Sequence, residues 1–213
     1  FNQAVGTILV LAVPMAVGMC LLSHPLYYVF YGESRFGPTL MRVLPFLRIF
    51  ESVSMVASMC LQSIGLAKVV CFTSVTGLLI NAACDVPFIY LCNAIGLPAY
   101  WGAGFSSMLG YTVSIAAVLI LLKKKYGLKY MPVLKTFLKV VMGLVPMIAV
   151  VLVLVNVLPF GGGRLVQFAL MAVAAIAGAA VYGLVTYKNK AIKDVFGDDF
   201  LRKILIKLHL KKA

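Results

Sequence analysis

Arg48 and Glu51 lie three residues apart inside a long apolar stretch, and Ser58 and Gln62 follow them. At about 100° per residue on a helix, Arg48 stands about 60° from Glu51, and Met55, Ser58 and Gln62 fall within about 40° of Glu51. Ser74, Asn81 and Asp85 form a second polar face within about 40° of one another. The planar fork of an arginine matches the oxygens of a phosphate or diphosphate. A carboxylate beside it can hold the fork in place or carry a coupling proton or cation. Charges near a bilayer centre are costly and face a bundle interior or a watery cavity. Arg48, Glu51, Ser58, Gln62, Asn81 and Asp85 are therefore the candidate lining of a substrate or ion pathway. Plainer roles compete with this one. Arg48 and Glu51 can neutralise each other as an i,i+3 pair, and Asp85 can sit buried and hydrogen-bonded. Arg42, on the opposite side of its helix, can snorkel to headgroups. His24, Trp101, Tyr27, Tyr28 and Tyr31 read as interfacial side chains.

No enzyme signature accompanies these residues. The chain lacks G-x-S-x-G, H-E-x-x-H and a Walker loop, and it has only 2 histidines. Its 5 cysteines, Cys20, Cys60, Cys71, Cys84 and Cys92, show neither C-x-x-C nor zinc spacing. No cofactor or metal is expected. Any transport would draw on an ion gradient, the membrane potential or the gradient of the substrate itself.

The elements that must position these groups follow from composition. Of 213 residues, 63% are apolar and 12% charged, with a mean hydropathy of +1.05. That excludes a soluble globular domain, a disordered chain and a collagen-like repeat. Asp, Glu, Lys and Arg are absent from 1–32, 86–122, 140–163 and 165–187, and about 20 apolar residues suffice to cross a membrane. Six spans are predicted, at 4–30, 37–64, 68–92, 99–122, 132–158 and 164–187. Nothing alternates as barrel strands do, so the fold class is all-α, a polytopic membrane helix bundle. Pro14, Pro45, Pro87 and Pro146 lie inside spans and predict bent helices around a cavity. Gly102, Ser106, Gly110 and Ser114 form one ridge of small residues, and Ala175, Ala179 and Gly183 another; both predict close helix packing. The division expected is 1–131 for four spans, 132–190 for two more, and 191–213 for a basic tail. In that tail Asp198 and Asp199 open an amphipathic helix running to Leu208, suited to lie on anionic membrane lipids.

The formal net charge of +13 could suggest nucleic acid, but its placement argues against that. Lys68, then Lys123, Lys124, Lys125 and Lys129, then Lys188, Lys190, Lys193, Arg202, Lys203, Lys207, Lys211 and Lys212 fall in alternate connections and the tail. The opposite connections hold only Arg35, beside Glu33, and Arg164. By the positive-inside rule both the first residue and the tail are cytoplasmic. Phe1 opens the chain without a basic n-region or cleavage site, so a signal peptide is not expected and a partial or trimmed chain is.

Several motifs resemble a known group. Val13-Pro14-Met15-Ala16-Val17-Gly18, then Pro25-Leu26 and Phe30-Tyr31-Gly32, resemble a span of the polysaccharide-exporter and lipid II flippase families. Cys60-Leu61-Gln62-Ser63-Ile64-Gly65-Leu66-Ala67-Lys68 is similar to their "L-Q-(G/S)-x-G-(x)-K" helix end, and Asn81 followed by Ile95-Gly96 and Gly102-Ala103 to a later helix pair. These families belong to the multidrug/oligosaccharidyl-lipid/polysaccharide exporter superfamily, and the Gram-positive branch looks most similar over residues 5–187. The resemblance implies two six-helix lobes, two extra C-terminal helices and alternating access. The spans here would be the ninth to fourteenth, the last two forming a groove for a lipid tail. The missing N-terminal lobe would be the main protein partner and a lipid-linked saccharide diphosphate the substrate. Asp85 departs from the usual pattern, which has an apolar residue there, and Leu97-Pro98-Ala99-Tyr100-Trp101 enlarges the usual glycine turn.

Two other readings compete with a flippase. One is a drug/cation antiporter of the same superfamily, which the extra hydrophobic pair counts against. The other is a non-transporting membrane scaffold, which would not need Arg48, Glu51 and Asp85 in the membrane. The short turn at Gly65 predicts that the second and third spans are antiparallel neighbours, with their polar faces lining one shared cavity.

Overall fold

The computed structural model of the chain describes residues 1–158 and 163–196. All regular structure among them is helical: α1 (Asn2–Leu21), α2 (Ser23–Tyr31), α3 (Gly37–Ser63), α4 (Ala67–Ala94), α5 (Tyr100–Tyr126), α6 (Met131–Val157), α7 (Arg164–Lys188) and α8 (Ala191–Phe196). Six of these, all but α2 and α8, are long and apolar enough to cross a membrane. The 27 residues of α3, α5 or α6 reach about 40 Å, beyond the roughly 30 Å of hydrocarbon to be crossed.

The first predicted span is two helices. Leu22, at φ −94° and ψ 15°, breaks the stretch between α1 and α2. Pro25 explains the position, because its ring clashes with the carbonyl four residues earlier, that of Leu21, and supplies no N–H to it. Pro14, Pro45, Pro87 and Pro146 lie inside α1, α3, α4 and α6, as predicted.

The helices pack as a row in the order α4, α5, α3, α1, α6, α7, with α2 bridging α3 and α7. Apolar side chains form a larger core around α1, α6 and α7, including Val10, Val140, Val151 and Ala174. A smaller one gathers Ala57, Leu61, Val70, Val118 and Leu122 from α3, α4 and α5. The neighbour predicted for α4 is corrected here: α4 packs chiefly on α5 and touches α3 little. The reason is the small-residue ridge of α5. A Cβ on Gly102 would lie 2.5 Å from the Ile89 nitrogen, and one on Gly110 would lie 2.6 Å from the Gly77 carbonyl oxygen. Backbones this close exclude any other partner from that face of α4.

The second ridge behaves differently. On α7 the buried face carries Gln167, Met171, Ala174, Gly178, Tyr182 and Thr186. The close approach to α6 comes from Gly178 against Val151 and from Gly143 against Thr186. Ala175 and Ala179 are exposed, and a Cβ on Gly183 would meet nothing within 4 Å. The ridge predicted to pack is thus open. The expected amphipathic helix from Asp198 lies outside the described residues. Ahead of it, α8 docks on α1, α6 and α7. Val195 sits over Gly6, where a Cβ would come within 3.1 Å. Gln3 Nε2 donates to the Val195 carbonyl at 3.0 Å, and Lys139 pairs with Asp194.

Candidate functional site

The six candidate residues separate into two groups. On α3, Leu44, Arg48, Met55, Met59 and Gln62 form an exposed stripe, with Glu51 and Ser58 half-buried along it. Arg48 Nη1 meets Glu51 Oε2 at 2.5 Å, and the two side chains are 72% and 40% exposed. The i,i+3 pair therefore forms, yet the guanidinium stays open to an incoming anion. Ser52 Oγ donates to the Arg48 carbonyl at 2.8 Å. Arg42 lies apart, with Nε 3.4 Å from Ser23 Oγ.

Asn81 and Asp85 are turned to α5. Ser106, wholly buried at 0% exposure, is the hub. Its Oγ lies 2.9 Å from Asn81 Oδ1 and 2.9 Å from the Ala103 carbonyl, and it also meets Asp85 Oδ1. Ser107 Oγ reaches Asn81 Oδ1 at 3.4 Å. A serine hydroxyl carries one proton, so it can satisfy only one of these three acceptors at a time. The surplus of oxygen lone pairs is chemically suited to a positive species, either a proton or a hard cation. Sequence spacing singled out Asn81 and Asp85 and assigned Ser106 to packing alone. That Ser106 joins them follows from the α4–α5 register, which no local pattern encodes.

Two cavities stand out among the described residues. One, of about 450 Å³, runs between α1, α6 and α7 and is lined by Val10, Leu11, Pro14, Met15, Gly18, Met19, Leu22, Leu26, Met147, Val151, Met171, Ala172, Ala175, Ala179 and Tyr182. Apart from the Tyr182 hydroxyl its side chains are apolar, and α7 contributes the two alanines of the open ridge. The other, of about 590 Å³, lies where α1 and α6 begin beside α8, among Asn2, Gln3, Lys135, Thr136 and Asp194.

Tyr182 has a role that the sequence did not single out. Pro14 has no N–H, so the Val10 carbonyl four residues before it loses its helical donor. Tyr182 Oη donates to that carbonyl at 2.9 Å, fully inside the protein. The signal was present in outline, since an internal proline leaves an acceptor that a neighbouring helix must satisfy. Which helix supplies it was not legible.

The chain is 31% identical over 204 residues, 92% of its length, to the "Lipid II flippase MurJ" of Bacillus subtilis (strain 168). It spans 36% of that protein, over its C-terminal part. No family model and no solved structure matches. The chain is thus homologous, over nearly all its length, to the last third of a protein of the branch its motifs resemble. Six apolar helices and this relative support a multi-pass protein of the cytoplasmic membrane.

Proposed function

We propose that the chain is the C-terminal portion of a flippase that moves a lipid-linked saccharide diphosphate across the cytoplasmic membrane by alternating access. The observation that carries this reading is the match to a lipid II flippase along 92% of the chain. The two unlike faces of the structure fit one amphipathic cargo. The apolar groove between α1, α6 and α7 takes the polyprenyl tail, whose hydrocarbon meets an apolar wall and buries no unpaired polar group. The Arg48 stripe takes the diphosphate, with Glu51 setting the fork and Ser58 and Gln62 continuing the polar track. The Asn81–Asp85–Ser106 cluster carries the coupling proton or cation. No bond of the cargo is made or broken, so the activity is transport and not enzymatic. The four spans of 1–131 belong to the second lobe and the pair within 132–190 to the tail groove. The basic residues of the tail beyond α8 meet anionic lipids with the C-terminus in the cytoplasm, and the remaining N-terminal lobe completes the cavity.

The test is transport of a fluorescent lipid-linked disaccharide diphosphate by the full-length protein in vesicles. Arg48→Lys keeps the charge but loses the fork, and transport is expected to fall by roughly tenfold, the equivalent of about 1.4 kcal/mol. Arg42→Lys is expected to leave it unchanged. A Glu51→Gln, Asp85→Asn double variant at normal expression should lose its response to the ion gradient; full activity would remove the coupling role.

A further inference from the structure

Three observations converge on one point of α1. Pro14 leaves the Val10 carbonyl without its helical donor, the Tyr182 hydroxyl fills that place at 2.9 Å, and Val10, Pro14 and Tyr182 all line the same apolar cavity. Helix α1 in turn packs on α3, the helix that carries Arg48 and Glu51. We infer that Tyr182 is a positioning residue whose bond to Val10 sets the bend of α1 and so couples occupancy of the tail groove to the polar face of α3. This rests on the lipid-tail reading of the groove and goes beyond it by naming the connection between tail and headgroup.

The physical argument is one of competing partners. Pro14 offers the Val10 carbonyl no N–H, and the donor that reaches it from outside the helix stands on α7. A buried acceptor without a partner is costly, so any movement of α7 that withdraws the hydroxyl must be met by a change in α1. A hydrocarbon chain entering between α1 and α7 pushes on the two helices that this bond spans, and it offers the carbonyl nothing in return. The groove walls on either side of the bond, Leu11, Met15, Ala175 and Ala179, are exposed and resist entry little. The bend at Pro14 is therefore the element that responds, and the outer half of α1 moves with α2 relative to α7.

A double-mutant cycle reads the bond directly. Pro14→Ala returns an N–H to the Val10 carbonyl and makes the tyrosine hydroxyl redundant. Tyr182→Phe in the full-length protein should lower the thermal midpoint by several degrees with Pro14 present and by nothing measurable in the Pro14→Ala background. Equal shifts in both backgrounds would overturn the assignment. The coupling is read by spin labels on His24→Cys and Leu165→Cys, two exposed sites at the ends of α2 and α7, in a protein free of other cysteines. Undecaprenyl phosphate is the probe. In the otherwise unaltered protein it should shift the distance distribution, and in Tyr182→Phe the shift should be lost when both proteins are compared at undecaprenyl phosphate concentrations that saturate each. A Tyr182→Phe protein that still shifts like its parent defeats the coupling but leaves the groove reading standing. A parent that binds no undecaprenyl phosphate defeats both.

Discussion

Glycine positions in the bundle differ sharply in what they tolerate. A Cβ on Gly102 would press on the Ile89 backbone at 2.5 Å, and one on Gly77 would meet Ser114 Oγ at 2.1 Å and the Gly110 carbonyl at 2.9 Å. A Cβ on Gly183 meets nothing within 4 Å. Gly102→Ala is accordingly expected to destabilise the protein by about 1–3 kcal/mol, the cost of overpacking. Gly183→Ala is expected to be neutral or to stabilise by up to about 1 kcal/mol, the usual helix gain over glycine. Thermal unfolding in one detergent compares the two, and a larger loss at Gly183 would contradict the packing described. Both glycines belong to ridges with the same four-residue step, so spacing alone could not separate them. The partner helix decides, and the partner is a tertiary fact. The same limit applied to Ser106, whose type and position were visible but whose bonds to Asn81 and Asp85 were not. Arg48 and Glu51 were legible because an i,i+3 pair is local.

Helices themselves were the most readable feature. An apolar run of this length inside lipid admits only one backbone solution, and five of the six predicted spans end within a few residues of the observed α3 to α7. The break at Leu22 escaped because Pro25 acts on the carbonyl of Leu21, one turn before the proline itself. Pairing was less legible than existence: the tight turn at Gly65, φ +79°, suggested α3 beside α4, but backbone contact with α5 prevails over adjacency in the chain. Charge asymmetry also belongs to this level, and it predicts the orientation of every span. Single cysteines at Lys124 and Lys190, in a background without the native ones, should resist an impermeant thiol reagent in intact cells, while one at Gly163 should react. The reverse labelling pattern would invert the topology.

The described residues form a row of helices with two open sides. α4 has one principal partner, α5, and leaves Phe72, Val75, Leu78, Leu79 and Tyr90 exposed, while the Arg48 stripe on α3 is uncovered. A lone row cannot alternate between two states around a midplane site, which takes one bundle moving against another. The segment purified and reconstituted alone is therefore expected to move no lipid-linked saccharide between leaflets, whereas the full-length protein is expected to move it. Transport by the isolated segment would refute the two-lobe arrangement.

The apolar groove owes much of its wall to methionines, Met15, Met19, Met147 and Met171. Unbranched thioethers bend easily, so the groove can follow chains of different curvature. They also oxidise. A sulfoxide places a strong dipole where the wall had none, and a single such change in this groove would turn a surface that welcomes hydrocarbon into one that repels it. On the proposed function, such oxidation would hinder entry of the lipid tail while the fold stays intact, and reduction of the sulfoxide would reverse it.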